Sequence, residues 1–145
     1  MAAAKAQADT LGFLVSDVSR LMRRTFRTRL EGSSLTLEQA RALVYVARNE
    51  GIRQVDLADL LEVRPITLAR LLDQLHAFDL VERRADPADR RAHRIHLTDA
   101  AAPQLDAIDQ VVVTIRKQAV RGLDKDEVAA LASALVRMRD NLSGR

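Results

Sequence analysis

Cysteine is absent from the 145 residues, so disulfides, thiolate metal sites and nucleophilic thiols are all excluded. Aromatic residues are nearly as scarce. There is no tryptophan, and Phe13, Phe26, Tyr45 and Phe78 make up the whole complement. The interior must therefore be filled by Leu, Val, Ile and Ala, the residues of packed helices, and the stacking rings that single-stranded nucleic acid readers use are missing. Only 5 glycines are present; they form no glycine-rich phosphate loop, and Ser, His and Asp fall into no nucleophilic arrangement. No enzymatic activity is expected. Long hydrophobic runs are also lacking: no uninterrupted apolar segment approaches about 18 residues, and the opening MAAAKAQADT is too short in apolar character for a secretory leader. The expected location is the cytoplasm, with no membrane partner. His76, His93 and His96 invite a zinc reading, but His93 and His96 lie three apart on a strand candidate and so on opposite faces, with no cysteine or carboxylate pair to complete a four-coordinate set. No metal or other cofactor is expected.

What is present is an ordinary soluble balance, 48% hydrophobic and 30% charged, over a length suited to one compact unit. Basic residues number 23 against 20 acidic, a net charge of only +3, so distribution matters more than total. Arg20, Arg23, Arg24, Arg27 and Arg29 follow one another with no acid between them. A second concentration, RRADPADRRAHRIHLT from Arg83 to Thr98, sets arginines around two aspartates and a proline and ends on alternating apolar residues.

Apolar steps of three and four predict an amphipathic helix over Leu11 to Leu30. Thr36 and Gln39 read as a capping box for a second helix to about Arg48, which Gly51 ends. A short helix over Gln54 to Leu61 and another starting at Pro65, whose fixed φ suits a first helical position, stand three or four residues apart. Val55, Ala58 and Leu61 are expected to face Leu68, Leu71, Leu72 and Leu75 across that turn, which is helix-turn-helix spacing. Glu62 stands in that turn, where many such turns have glycine. Asp79 is expected to take a left-handed conformation at the next helix exit. Leu80 to Arg84 and His93 to Leu97 read as a β-hairpin, with ADPADRRA as its loop. A long helix follows Thr98, the candidate N-cap, to about Arg121; Pro103 predicts either a kink or a later start. Asp124 and Glu127 bracket a last helix, whose Val128, Leu131, Leu135, Met138 and Leu142 form a narrow seam suited to packing on another helix.

A helix-turn-helix followed directly by a basic hairpin is a winged-helix arrangement. Its second helix can enter a major groove while the hairpin reaches an adjacent minor groove. On the recognition helix Arg64, Pro65, Ile66, Thr67, Ala69, Arg70, Asp73 and Gln74 remain once the leucines are buried. Arg70 can grip guanine O6 and N7 or a phosphate, Gln74 can address adenine, and Thr67 can meet a thymine methyl or a phosphate. The competing assignment for Arg70 is a surface charge paired with Asp73 or Asp59. In the hairpin, Arg84, Arg90 and Arg91 suit phosphate and the electronegative minor groove, with Asp89 expected to pair with Arg91 and aim it; a solvated charged turn is the alternative. Apolar-striped helices at both ends call for a partner chain, and interleaved terminal helices make a homodimer. A protein-interaction module with no DNA target competes with the DNA reading.

DPADRRAHRIHLT resembles the wing signature of the MarR regulators, and RLLDQLHAFDLVERR resembles their recognition-helix exit, most closely in the SlyA-like branch; the resemblance spans Leu11 to Leu142. It implies a mainly α fold (α+β winged helix): a single winged helix-turn-helix unit over residues 1–145, with a DNA-binding lobe at about 36–98 and dimerisation helices at about 10–31 and 99–143. It further implies a homodimer on double-stranded DNA at a pseudo-palindromic operator. By that resemblance Asp89 and Arg91 form the wing pair, Arg90 lies beside them and Arg70 faces DNA. Asp79 departs from the glycine usual there. The resemblance also implies release by a small aromatic or phenolic acid in the crevice between the dimerisation helices and the lobe, with Arg20, Arg23 or Arg24 neutralising the carboxylate and Phe13 or Tyr45 walling the ring. A phosphate-facing helix edge and ordinary core aromatics are the alternative for those residues.

Overall fold

The structure, a computed structural model, describes residues 10–144. The opening segment read above for a leader lies outside the described residues. The elements run α1 (Leu11–Leu30), α2 (Leu37–Arg48), β1 (Ile52–Arg53), α3 (Gln54–Leu61), α4 (Pro65–Ala77), β2 (Val81–Asp86), β3 (Asp89–Leu97), α5 (Ala101–Ala119) and α6 (Lys125–Ser143). The three strands form one antiparallel sheet in the order β1-β3-β2. This is a winged helix flanked by long helices, mainly α.

Local chemistry sets most of the boundaries. At the start of α2 the Gln39 N–H donates to Thr36 Oγ1 at 3.2 Å while the Thr36 N–H donates to Gln39 Oε1 at 3.0 Å, satisfying two otherwise orphaned donors. Asp124 and Glu127 do the same for α6. Pro65 is the first residue of α4. Asp79 takes the left-handed conformation at φ 59, and Glu62 takes it at φ 54; in the second case the backbone tolerates a residue other than glycine at the tight turn between α3 and α4.

The core lies among α2, α3, α4 and the sheet, where Leu43, Val46, Leu57, Leu68, Leu72, Leu75, Val81 and Ile95 are fully enclosed. The terminal helices contribute little to it: α1 buries only Leu30, and α6 buries nothing.

Three expectations need correction, and one strand was unforeseen. Val55 is 56% exposed, and Leu57 takes its place beside Ala58 and Leu61; at about 100° per residue the buried face centres on those three, and Val55 lies roughly a third of a turn away. The hairpin strands extend through most of the expected loop, leaving only Pro87 and Ala88 as the turn. Thr98 is not the cap of α5, which starts at Ala101 with Pro103 within its first turn, where a missing N–H costs nothing. Thr98 instead donates its hydroxyl to the Asp79 carbonyl, tying the α4 exit to the end of β3. Finally, β1 was not anticipated, since two residues carry no periodic signal.

Candidate nucleic-acid interface and the adjoining crevice

Helix α4 buries Leu68, Leu72 and Leu75 against the core. Residues four and three apart on the opposite side then form an outward strip, Ile66, Arg70 and Asp73. Arg64 and Pro65 stand exposed at its N-terminal end, where free N–H groups and the helix dipole favour an anion. Among the described residues Arg70 has no ion-pair partner. Asp73, the competitor for it, is taken by Arg83 at 2.7 Å. Thr67 and Gln74, seven apart, share a flank of the helix rather than the strip. Thr67 is half-buried and borders a cavity against α1, and the Gln74 Oε1 accepts from the buried Gln39 Nε2 at 2.9 Å. The Gln74 amide is thereby oriented, with its own NH2 group left to donate.

The wing is fastened to this helix and to the lobe by its two faces. On the inner face Val81 and Ile95 are buried, and Arg83, paired in register with Ile95, reaches under α4 to donate to the Ala69 carbonyl at 3.2 Å as well as to Asp73. On the outer face the register brings Arg53, Arg94 and Arg84 into one row across the three strands. Three like charges directly opposite one another repel, and carboxylates resolve the conflict. Glu82, two residues before Arg84 on the same strand, pairs with it. Asp86, only 4% exposed, meets Arg94 at 3.4 Å and Arg53 at 3.5 Å. Its carboxyl is held below the usual carboxylate range first by the Ala88 N–H, which donates at 3.0 Å, and then by Arg94 and Arg53, against the opposing effect of desolvation. The Arg53 Nε is buried without a hydrogen-bond acceptor, so this ion pair is its electrostatic compensation. Arg94 also donates to the Gly51 carbonyl at 3.0 Å.

At the wing tip Asp86 pairs with Asp89 while Ala85 pairs with His93, so Arg90, Arg91 and Ala92 are extra residues on β3 with no partner on β2. Such a bulge bends the strand and turns side chains out of the ladder, and Arg90 and Arg91 are both exposed. The expected pairing of Asp89 with the Arg91 guanidinium is replaced by a backbone contact: the Arg91 N–H donates to Asp89 Oδ1 at 3.0 Å. Asp89 shapes the turn, and Asp86 holds its base. The sequence contained Asp86, Arg53 and Arg94 but gave no sign that they meet, because the register that unites them depends on the missed strand β1. Arg84, named as a DNA contact, is engaged by Glu82 and stands on the wing's stem rather than its tip.

Behind α4 lies the crevice. A cavity of about 490 Å³ is lined by Arg20, Arg23, Arg24, Arg27 and Arg41, with Glu38, Leu61, Val63, Thr67 and Leu71. It adjoins an apolar one of about 200 Å³ formed by Met22, Phe26, Val44, Tyr45, Ile108, Val112 and Ile115; Arg23, Leu37 and Arg41 border both. Four of the five residues suggested for an effector are thus gathered here. Phe13 shares the helix face of Arg20 and Arg24 but sits about 10 Å nearer the N-terminus, outside both cavities. Among the described residues no group of three or more His, Cys, Asp or Glu side chains is placed to hold a metal ion, and no helix is long and apolar enough to cross a membrane.

Residues 33–92, from the loop before α2 to the wing tip, match the model of the MarR family. Among solved structures, the transcriptional regulator PA3341 is 34% identical with a TM-score of 0.80, the alignment covering 94% of this chain and 100% of that one. The apo form of wild-type MarR from E. coli is 28% identical with a TM-score of 0.78, over 89% of this chain and 96% of that chain. The transcriptional regulator SlyA is 29% identical with a TM-score of 0.74, over 90% and 92%. The match to the lobe, the likeness along nearly the whole chain and the winged helix built here from its own contacts agree: the chain belongs to the MarR family of transcriptional regulators.

Proposed function

We propose that the protein is a homodimer that binds a pseudo-palindromic operator in double-stranded DNA, laying α4 of each subunit in a major groove and the Arg90–Arg91 tip of each wing in the neighbouring minor groove. Residues 36–98 make the DNA-binding lobe, and residues 10–31 and 99–143 the dimerisation helices. The observation that carries this reading is Arg70, without an ion-pair partner among the described residues, on the outward strip of a helix whose opposite face is fully buried, flanked by a wing whose stem arginines lie against carboxylates while Arg90 and Arg91 at its tip do not. Arg64, Pro65, Thr67 and Gln74 complete the helix side of the contact.

Dimerisation is supported by apolar surface that one chain leaves uncovered. On α1, Leu11, Leu14, Val15, Val18 and Leu21 are exposed, and on α6 Leu131, Leu135 and Leu142, the last at 87%. A 19-residue helix that fully buries none of its own residues draws little packing energy from its own chain, and isolated helices are marginal in water. A second copy supplies the missing surface, and two-fold symmetry then spaces the recognition helices about one DNA turn apart, roughly 34 Å. The crevice takes a small aromatic acid, with Arg20, Arg23 or Arg24 meeting its charge and Tyr45 beside its ring, and its contact with Thr67 connects occupancy to the position of α4. The protein acts in the cytoplasm, at the nucleoid.

The test is selection of genomic fragments by purified protein, followed by gel shifts with the recovered duplex. An inverted repeat is expected, together with loss of retention in an intact Arg70→Ala, Arg91→Ala double variant. Undiminished binding by that variant, or an intact dimer that retains no fragment, would overturn the assignment; the second outcome would leave a winged-helix protein-interaction module.

A further inference from the structure

We infer that the crevice selects an anion carrying at least two negative charges on an apolar body the size of a single ring, rather than a simple monocarboxylic acid. This rests on the reading of the crevice as an effector site and names the class of effector. Five arginines line the basic cavity against one glutamate. Two of them are already occupied: Arg27 meets Glu38 at 3.4 Å, and Arg20 meets Asp17 at the same distance. Among the described residues Arg23, Arg24 and Arg41 have no carboxylate within ion-pairing distance. Helix α1 places Arg23 and Arg24 side by side, and α2 brings Arg41 from the other wall.

A single carboxylate can satisfy one guanidinium bidentately and leaves the others repelling each other across the cavity. A dianion or trianion meets two or three of them, and no acidic side chain among the described residues is placed to do so. The apolar half of the ligand is defined by the adjoining cavity, almost without polar surface, into which Tyr45 and Phe26 project. Arg41 joins the halves: its guanidinium lies 5.5 Å from the centroid of the Tyr45 ring and borders both cavities. A charged head among the arginines and a ring beside Tyr45 can therefore be held by one molecule. The two spaces together fall within the ~300–1,000 Å³ usual for small-molecule sites.

The experiment is isothermal titration calorimetry of the DNA-free homodimer at neutral pH with three probes: benzoate (one charge, one ring), phthalate (two charges, one ring) and tricarballylate (three charges, no ring). Phthalate is expected to bind about tenfold tighter than benzoate, through the extra ion pair, and its affinity to fall more steeply because added salt screens that pair as well. Tricarballylate is expected to bind more weakly than phthalate. In Arg41→Gln, phthalate should drop to the level of benzoate while benzoate binding changes little; in Arg23→Gln both should weaken, phthalate by more, and the melting temperature is kept in each. Equal affinity for phthalate and benzoate, or no binding of any probe because the second copy fills the crevice, would overturn the inference. A gel shift on the same samples separates the two readings: retention of the operator without a phthalate preference sinks this inference alone, and a phthalate preference without operator binding sinks the DNA reading alone.

Discussion

At Asp86 a carboxylate that is almost wholly enclosed joins β1, β3 and the wing turn through Arg53, Arg94 and the Ala88 N–H. Because folding lowers its pKa, with the Ala88 N–H the largest cause, the stability it contributes is complete at neutral pH and is lost as pH falls through that lowered value. Asp124, lowered chiefly by the Glu127 N–H, behaves in the same way at the start of α6. Asp86→Asn is therefore expected to lower the melting temperature at neutral pH, with a difference from wild type that narrows under acid conditions; parallel displacement at every pH would refute the role. The same variant should speed amide hydrogen exchange in β2 and β3 more than in α2. Among the described residues Arg70 and Arg91 have no such partners, so replacing either by alanine should weaken operator binding by roughly 1–3 kcal/mol per subunit without moving the melting temperature. That combination is measured by gel shift alongside thermal melts.

Among the elements, α2 and α6 start on reciprocal capping boxes, while α3 ends on a strained residue. Thr36→Ala removes the acceptor for the Gln39 N–H and should cost about 1 kcal/mol in urea unfolding. Glu62 and Asp79 both hold left-handed conformations, at φ 54 and φ 59. Aspartate tolerates that region better than glutamate, so Glu62→Gly is expected to stabilise by about 0.5–1 kcal/mol after the entropy cost of glycine, and Asp79→Gly by less. Urea midpoints for the pair decide it; a larger gain at Asp79 would contradict the argument. Arg83 ties the wing to the recognition helix by donating to both the Ala69 carbonyl and Asp73.

For the whole molecule, the core is confined to the lobe and the ends are apolar helices with little to cover them. Leu135→Glu places a charge in the α6 seam and should dissociate the dimer with loss of helical signal, while the lobe keeps its fold; sedimentation velocity and circular dichroism read both. A wild-type protein that sediments as a monomer would sink the dimer. With several arginines on phosphate, operator affinity should fall by orders of magnitude between about 50 and 200 mM salt.

The sequence by itself determined the elements whose signals are local. Capping residues at Thr36 and Asp124, Pro65 at a helix start, and leucines at steps of three and four act within a turn or two of chain, and α2, α4 and α6 begin where those residues place them. Tertiary structure alone decided how the arginines divide between holding the wing and facing outward. That division depends on strand register, on a two-residue strand and on a bulge, which place Arg53, Arg94 and Asp86 together and leave Arg90 and Arg91 apart. A charge pair between residues more than thirty positions apart leaves no periodic trace in the chain, because only folding brings its members within range of one another.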